Sequence, residues 1–388
     1  MIYKHLKKAF KETDKLFLLL CLFLSAVGTV MVSSATHRTA DGALLSRDAK
    51  VMVLALVLGV AACLVISFID YDLILKLWPV IAAGSLFLML LLIPFGEAPS
   101  GREDARSWLR ITSSLYLQPS EILKIGFIIT FSKHLSLLKN DLSSVKNVFF
   151  LCVHAMIPIA LVVYTGDMGS ALIFMLMFVG MMFIAGVHWA YFPLGIAAVA
   201  AALPLVWYKV FDNIQRNRIL ALIDPQSYPN EIYQQQQAGN AIREGGFFGA
   251  GLFKGAYTQS GSVPESANDM IFSVICEETG LIGAFVVLLL FALLAIRIIY
   301  VGKRANNYAA SMICYGVMFM IIAQVAINIG MCLKLLPVIG ITLPFISAGG
   351  SSVVSLYLAV GLVLSVYRSS GTISYDNDYR FDRIARQI

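Results

Sequence analysis

Acidic side chains at the edges of long apolar stretches are the residues of this sequence best suited to chemistry. Asp269 ends the stretch VPESAND and directly precedes the apolar stretch MIFSVIC. A carboxylate at the mouth of a dry cavity can act as a general base. Asn268 or Asp269 could instead cap the helix that follows, which is a purely structural role. Glu265 is near enough in sequence to couple to Asp269, but Pro264 leaves its geometry open.

A second acid occurs with a lysine in the stretch LQPSEILK. Pro119 suits the first turn of a helix, which places Glu121 and Lys124 at positions i and i+3 on one face. Charged side chains in a membrane span are costly and usually face an interior cavity. The pattern fits a structural ion pair, and it also fits a lysine that stays charged beside a substrate anion.

Three further features fall between or within apolar stretches. Asp167 lies in GDMGS, where it could form a local turn or serve a site. Gln324 and Asn328 are four residues apart within one stretch, a spacing that predicts hydrogen bonds between helices. Residues 335–352 combine prolines, glycines and a serine cluster. They predict a re-entrant segment, because irregular backbone at membrane depth must be buried or line a cavity.

Motifs of soluble enzymes are not found. The stretch GGFFGAGLFKG is not a dinucleotide loop, since Lys254 occupies the position of the third glycine, and it is not a P-loop. Its glycines predict tight turns of a loop against the rest of the protein. Neither H-E-x-x-H nor G-x-S-x-G occurs.

The composition identifies the class of protein that must position these residues. Of 388 residues, 59% are hydrophobic and 13% charged, against roughly 45–50% and 25% in soluble domains. The apolar stretches are long and continuous, which predicts an all-α polytopic membrane protein. Six scattered cysteines without C-x-x-C are interpreted as core residues. The net charge of +6 is attributed to lysines that meet anionic membrane lipid, and no nucleic-acid partner is expected.

About 20 apolar residues are needed for each crossing of a bilayer. Ten spans are predicted, at residues 16–32, 51–68, 78–95, 119–138, 148–165, 171–187, 189–206, 281–300, 309–329 and 353–367. The first span is too long in its apolar core for a signal peptide. The span at 119–138 is interrupted by Ser132, Lys133 and His134.

Lysines near the start of the chain predict the orientation, because cytoplasmic segments are enriched in Lys and Arg. Both termini are expected in the cytoplasm. The predicted parts are a basic cytoplasmic segment (1–15), a ten-helix membrane domain (16–367) and a cytoplasmic tail (368–388). A large extracytoplasmic loop (209–268) lies between helices 7 and 8. Long loops are where function concentrates, and residues 96–118 form a second one.

Five stretches together resemble one family. In order they are RSWLRI with LQPSEILKI, then GDMGSALI, QQQQAGNAIREGGFFGAGLFKG, VPESANDMIFSVICEETGLIG and NIGMCLKLLPVIGITLPFISAGGSS. The chain resembles the SEDS proteins (shape, elongation, division and sporulation), which include RodA, FtsW and SpoVE, with an ending most similar to RodA. Ala267, Asn268 and Met270 depart from the His-Thr and Phe that commonly flank the family's catalytic acid.

The resemblance implies a ten-span peptidoglycan glycosyltransferase that acts on lipid II, with a class B penicillin-binding protein as transpeptidase partner. It implies that Asp269 is the catalytic residue, and it attaches importance to Glu121, Lys124 and Asp167. The remaining predicted substrate-binding residues are Trp108, Arg110, Arg243, Lys254, Glu265, Ser347 and Ser351.

The expected reaction is a single inverting displacement. Asp269 accepts the proton of the acceptor 4-hydroxyl, whose oxygen attacks C1 of the donor sugar and releases a lipid pyrophosphate. Cations must stabilise the developing charge, and the sequence does not distinguish a divalent metal (Mg²⁺ or Mn²⁺) from Lys124 or the loop arginines. Two alternatives are a lipid II flippase or transporter and a non-catalytic cell-wall scaffold.

Overall fold

The computed structural model describes residues 13–39, 46–98, 106–112 and 116–372. Most of the predicted cytoplasmic segment 1–15 and most of the predicted tail 368–388 lie outside the described residues. The cytoplasmic position of both segments therefore stays a prediction.

Helices make up most of the described chain, and their caps explain where they begin. The helices are α1 (Lys15–Ala35), α2 (Arg47–Phe68), α3 (Tyr71–Lys76), α4 (Trp78–Leu90), α5 (Leu92–Phe95), α6 (Pro119–Leu137), α7 (Val145–Tyr164), α8 (Met168–Ala185), α9 (Tyr191–Leu205, extended by a π-helix at Val206–Val210), α10 (Asn213–Ile223), α11 (Pro229–Gly245), α12 (Ala256–Ser260), α13 (Ile271–Lys303), α14 (Tyr308–Cys332) and α15 (Gly350–Thr372). Asp14, Ser46 and Asn307 cap α1, α2 and α14 by accepting a backbone N–H of the first turn. Each cap stands where the sequence changes from polar to apolar.

Nine helical segments of the described chain are long and apolar enough to cross a membrane. They correspond to the predicted spans other than 119–138, and they make the chain a polytopic helical membrane protein. The remaining predicted span forms α6, whose Glu121, Lys124 and Lys133 lower its hydropathy. Most of α6 is nevertheless buried, and it packs against α4, α7, α8, α14 and α15.

Both ends of the described chain lie at one end of the bundle. The guanidinium of Arg297 forms a 2.6 Å ion pair with Asp14, and it also lies 6.0 Å from the ring centre of Tyr367. Termini on the same side require an even number of crossings, which supports counting α6 as a tenth. The count of ten stays a prediction.

Helix α13 begins ten residues before the predicted span 281–300. Its first part carries Glu277, Glu278 and Thr279, which hide the helix from a hydropathy pattern. The helix is interrupted at Gly280, where φ is 69° and ψ is −169°. A Cβ at this position would also lie 2.5 Å from the carbonyl oxygen of Phe247, so only glycine fits.

A small sheet adds β-structure to the predicted all-α fold. The strands β1 (Gly96–Glu97), β2 (Trp108–Arg110) and β3 (Tyr116–Leu117) pair antiparallel in the order β1-β2-β3. Strands of two or three residues are too short to show the alternation that predicts a strand. The sheet lies in the predicted long loop 96–118 and leads directly into α6.

The re-entrant segment, defined as residues 333–349, has no helix and is largely buried between α14 and α15. The segment is irregular and lines a cavity, as the proline and glycine pattern at 335–352 predicts, and its depth in a membrane stays a prediction. Gly28 of α1 allows the close approach, because a Cβ there would lie 2.5 Å from the Cα of Ile346. Gly361 of α15 similarly lets that helix contact α2, since a Cβ would lie 2.8 Å from the carbonyl oxygen of Cys63.

We expect Arg297→Leu to lower the stability of the bundle by about 2–3 kcal/mol. The reason is that Asp14 is only 2% exposed and would lose its charged partner. Thermal unfolding in detergent measures the change. Arg304→Leu is the matched control, because Arg297 and Arg304 lie 4.5 and 4.3 Å from the ring centre of Tyr300 but Arg304 is exposed. Equal losses from the two substitutions would contradict a role for the ion pair.

Candidate active site

A cavity of about 790 Å³ opens at the end of the bundle opposite the two termini. It lies where α2, α6, α8 and α15 begin and where the chain enters α13, and the re-entrant segment closes one side. The polar side chains that line it are Asp48, Ser107, Trp108, Tyr116, Gln118, Glu121, Asp167, Ser170, Gln215, Arg218, Gln234, Glu265, Asn268, Asp269, Gln324, Thr342 and Ser352. The structure therefore brings together predicted site residues that are separated by up to about 160 positions in sequence.

Asp269 lines the cavity with only 6% of its surface exposed. It does not cap α13, whose N-cap is Met270 and has no side-chain hydrogen bond. The N-cap position that the sequence allowed for Asn268 or Asp269 is therefore occupied by Met270. Asp269 instead occupies the last turn before the helix, as expected for a residue at the boundary between loop and span.

Hydrogen bonds from two other elements hold the backbone at Asp269. The side-chain amide of Asn328, in α14, donates to the carbonyl oxygens of Asp269 (2.8 Å) and Ile341 (2.7 Å). The hydroxyl of Ser347 donates to the carbonyl of Asn268 at 2.7 Å. Both acceptors of Asn328 lie outside the helices, so these bonds are not the predicted hydrogen bonds between helices. Ser347 supports the site from behind, since it does not line the cavity.

Glu121 and Lys124 form an ion pair of 2.8 Å. The second carboxylate oxygen of Glu121 accepts a 2.8 Å hydrogen bond from Ser355. Glu121 lines the cavity, whereas Lys124 is 0% exposed and does not. The pair is therefore the structural ion pair that the pattern allows, with its acidic member facing the cavity. The other interpretation, a lysine beside a substrate anion, stays a prediction, and the burial of Lys124 gives it no support.

Asp167 caps α8 and also joins it to the start of α6. One carboxylate oxygen accepts the backbone N–H of Ser170 at 3.0 Å. The other accepts the amide of Gln118 at 2.9 Å and the hydroxyl of Ser120 at 3.0 Å. The local structural role is confirmed, and the same side chain lines the cavity.

Trp108 and Glu265 also line the cavity. Glu265 adopts a left-handed backbone conformation, with φ of 51°, and accepts a 2.7 Å hydrogen bond from the side chain of Asn268. Ser351 lies just behind the wall, where its hydroxyl donates to the carbonyl of Tyr116 at 3.0 Å. This bond fixes the small sheet against the start of α15.

Three predicted substrate-binding cations lie elsewhere. Arg110 is half-exposed and 3.9 Å from Glu97, and the side chains of Arg243 and Lys254 are exposed. None of the three lines the cavity. Their contact with a substrate stays a prediction, and the geometry gives it no support.

The glycine-rich loop, residues 245–255, packs against α13. The backbone N–H groups of Ala250 and Gly251 donate to the carbonyls of Glu277 and Glu278 at 2.9 and 3.0 Å. The Glu277 carboxylate accepts three hydrogen bonds from Tyr257 and Thr258. This confirms that the glycines serve close packing, and it places Glu277 outside the cavity.

Sequence reasoning missed Arg218, Gln215 and Asp48 as cavity residues. The only available signal was the i, i+3 spacing of Gln215 and Arg218, which puts both on one face of α10. Across residues 13–39, 46–98, 106–112 and 116–372, no group of three or more His, Cys, Asp and Glu side chains is arranged to hold a metal ion. A divalent metal stays a prediction for this site.

The fold and the cavity define a polytopic helical membrane protein with an acid-lined site at one end of its bundle. A family model described as "Cell cycle protein", covering FtsW, RodA and SpoVE, matches residues 14–372. The chain belongs to the FtsW/RodA/SpoVE family. This membership confirms the resemblance to SEDS proteins.

Individual relatives agree with the family match. Peptidoglycan glycosyltransferase MrdB of Escherichia coli (strain K12) is 32% identical over 285 residues, which cover 73% of this chain and 75% of MrdB. Stage V sporulation protein E of Bacillus subtilis (strain 168) is 32% identical over 362 residues, covering 92% and 97%. Equal identities leave the closer similarity to RodA a prediction. The relatives are bacterial, and this chain is accordingly a bacterial membrane protein.

Solved structures show the same fold. A chain from a peptidoglycan synthase complex that coordinates polymerization and crosslinking matches with a TM-score of 0.79 and 26% identity, covering 93% of this chain and 99% of that one. The rod shape determining protein RodA of Thermus thermophilus matches with a TM-score of 0.69 at 23% identity, covering 93% and 98%. The second match supports the fold alone.

We expect Glu121→Gln to cost more stability than Lys124→Met. Without Glu121 the buried Lys124 has no counterion, a loss of about 3–5 kcal/mol. Without Lys124 the carboxylate keeps Ser355 and faces the cavity, where water can solvate it. Thermal unfolding in detergent compares the two variants.

The double variant Glu121→Gln with Lys124→Met is the control for this asymmetry. It should be more stable than Glu121→Gln alone, because it no longer buries an unpaired charge. If the two single variants lose the same stability, the inferred difference between the buried lysine and the cavity-facing acid is incorrect.

Proposed function

We propose that this chain is a peptidoglycan glycosyltransferase that polymerises lipid II into β-1,4 glycan strands. The observation that carries the proposal is the position of Asp269, buried on the wall of a cavity that also contains Glu121 and Asp167. Family membership supports the same activity, since the relatives include proteins named for it.

The proposed chemistry is one displacement at the donor sugar. The acceptor 4-oxygen bonds to C1 of the donor, and its proton passes to the carboxylate of Asp269. The bond from C1 to the lipid pyrophosphate breaks, and its electron pair leaves on the phosphate oxygen. A single displacement turns the α-linked donor into a β-linked product without a covalent enzyme intermediate.

The way the site is held suits this role for Asp269. Asn328 and Ser347 hold the main chain at Asp269 by donating hydrogen bonds to the carbonyls of Asp269 and Asn268. A base held by its backbone keeps its position when the substrates arrive, so that less ordering is needed in the transition state.

A divalent cation would assist departure of the pyrophosphate by neutralising its charge. The described residues hold no cluster that fits a protein-bound metal, so we derive no step through one. Polymerisation with EDTA, followed by addition of Mg²⁺ or Mn²⁺, tests the prediction. Loss and recovery of activity are expected, and unaffected activity would remove the metal from the proposal.

The cavity is proposed to face the outside of the cell, with both termini in the cytoplasm. Asp14 and Tyr367 share the opposite end of the bundle through Arg297, so the cavity and the termini lie on opposite sides. Lysines near the start of the chain favour a cytoplasmic N-terminus. Lipid-linked sugars at the outer leaflet would then reach the cavity.

A lipid II flippase or transporter is the main alternative, and a non-catalytic scaffold is another. Substrate sites of transporters typically lie near the bilayer midplane between broken helices. Here the candidate acids lie at helix starts, with Asp167 as the N-cap of α8 and Asp269 just before α13. That position favours chemistry at the membrane surface.

A class B penicillin-binding protein is the proposed partner, and it would supply the transpeptidase. The matching chain from a complex of polymerization and crosslinking supports a partner of this kind. Lipid II and membrane lipid are the remaining proposed partners.

We expect Asp269→Ala and Asp269→Asn to lower polymerisation of labelled lipid II by about 10²–10⁴-fold, the usual contribution of a general base. The purified full chain, alone and with its partner, is assayed by the length of the glycan products. Thermal unfolding shows whether each variant is folded.

Asp224→Ala is the matched control, because Asp224 lies in the same 209–268 segment but is exposed and does not line the cavity. Hydrogen bonds from the side chain and backbone of Ser227 lower the pKa of Asp224, so this control also removes a negative charge. Normal polymerisation by Asp269→Ala would refute the base assignment. A wild-type chain that only moves lipid II across vesicles would favour the flippase.

A further inference from the structure

A second cavity, of about 330 Å³, lies between three helices on the side of the bundle. Residues of α4 (within 78–86), α6 (within 123–134) and α7 (within 150–158) line it, and we call it the side groove. It begins at His134 in the last turn of α6, which is the end of the bundle that holds both termini of the described chain. The side groove and the active-site cavity share no lining residue.

The walls of the side groove are apolar and open outward. Trp78, Phe150, Val153 and Ile157 line it and are each 40–49% exposed. In a protein whose helices cross a membrane, such walls face hydrocarbon chains, because apolar surface of this kind is unfavourable in water. Trp78 lies at the end of its helix, as is typical of tryptophan at the membrane–water interface.

The length of the side groove matches one leaflet of a bilayer. Along α6 it extends from Leu123 to His134, a rise of about 16 Å at 1.5 Å per residue. The hydrocarbon core of a bilayer is about 30 Å thick, so one leaflet contributes about 15 Å. The groove therefore fits an acyl chain of a phospholipid in the leaflet next to the termini.

A directed chain of hydrogen bonds lies at the mouth of the side groove. The hydroxyl of Thr130 donates to the carbonyl of Gly126 at 2.9 Å, so its oxygen accepts from Nε2 of His154 at 3.1 Å. Nδ1 of the neutral His154 ring then accepts from Nδ1 of His134 at 3.0 Å. Nε2 of His134 takes no part in this chain and is an acceptor, which suits a hydroxyl of a lipid headgroup.

Lysines from all three sides surround the same mouth. Lys146 is one turn before Phe150, on the face of α7 that lines the groove. Lys133 directly precedes His134, and Lys76 ends α3 just before α4 begins. Lysine side chains at helix ends reach the phosphates of a membrane surface while their stems stay among apolar groups.

Acidic side chains near these lysines have other partners. Asp70 accepts the backbone N–H of Asp72 and so caps α3. The carboxylate of Asp72 accepts a 3.2 Å hydrogen bond from Asn307, and that of Asp141 accepts one of 3.2 Å from Asn147. These three acids do not line the side groove. Its mouth therefore attracts anions, unlike the acid-lined active-site cavity.

We propose that the side groove is a binding site for an anionic phospholipid. One acyl chain lies between α4, α6 and α7, and the phosphate contacts Lys133 and Lys146 at the mouth. The site gives the proposed membrane-lipid partner a defined place on the protein. It does not depend on the proposed glycosyltransferase activity, because the two cavities have separate linings.

The experiment uses Trp78 as a reporter in the purified full chain. Phosphatidylglycerol, which has an anionic phosphate and free hydroxyls, is compared with zwitterionic phosphatidylcholine in mixed detergent micelles. Both carry brominated acyl chains, which quench tryptophan fluorescence on contact, and the signal lost in Trp78→Phe is that of Trp78. We expect phosphatidylglycerol to quench Trp78 at an about 10–100-fold lower concentration, as two lysine–phosphate contacts imply.

Two variants separate the headgroup from the chain. Lys133→Gln with Lys146→Gln should weaken quenching by phosphatidylglycerol about 10–30-fold and leave phosphatidylcholine unchanged. Ala82→Phe should weaken both lipids, because its ring fills the groove. Lys303→Gln is the matched control and should behave like the wild type, since Lys303 is an exposed lysine in the last turn of α13, outside the groove.

Equal quenching by the two lipids, or an equal loss in Lys303→Gln, would overturn the inference. So would a polyprenyl phosphate that displaces phosphatidylglycerol more effectively than unlabelled phosphatidylglycerol does, because the groove would then hold a substrate chain. If the double lysine variant is unfolded by its thermal midpoint, Lys146→Gln decides, since Lys146 is exposed. Several-fold weaker quenching by phosphatidylglycerol supports the site, and unchanged quenching overturns it.

Discussion

The energetic cost of placing charge among apolar helices governs the whole arrangement. Within the buried part of the bundle, Glu121 and Lys124 neutralise each other at 2.8 Å, and Asp14 is neutralised by Arg297 at 2.6 Å. The pair of Asp14 and Arg297 joins elements that are distant in sequence. Glu121 and Lys124 both belong to α6, and Glu121 is joined to α15 by the hydroxyl of Ser355. The polar groups that function needs are therefore tolerated because they are held by partners, and the same partners fix where the helices lie.

At the cavity, the starts of helices add to the stabilisation of the buried acids. Helices α6, α8 and α15 begin at its wall, and the N-terminal ends of helices carry partial positive charge. Asp167 makes direct use of this by capping α8, and Glu121 lies in the first turn of α6. Helix starts thus stabilise the acids, and their partial positive charge also reduces the electrostatic repulsion of an anionic substrate.

The glycine-rich loop and the re-entrant segment are stabilised in the same way. Both consist of irregular backbone, and both satisfy their polar groups through contacts with helices α13 and α14. Gly249 and Gly280 let the loop donate to carbonyls of α13. Asn328 binds the re-entrant segment and the residue before α13 with one side-chain amide. The candidate base therefore depends on residues that never face the cavity.

The sequence by itself determined the class of protein, nearly all of the spans and the main acids of the site, because long apolar stretches and isolated charges are local signals. It did not determine which cation faces the cavity. Arg110, Arg243 and Lys254 were as plausible as any other residue, since exposure depends on how the loop folds back over the bundle. Only the tertiary structure placed Arg218 on the cavity wall, and only the contacts of α10 with the re-entrant segment explain why. The early start of α13 was hidden for a similar reason, since the buried carboxylate of Glu277 is satisfied by hydrogen bonds from α12, about 20 residues earlier in the chain.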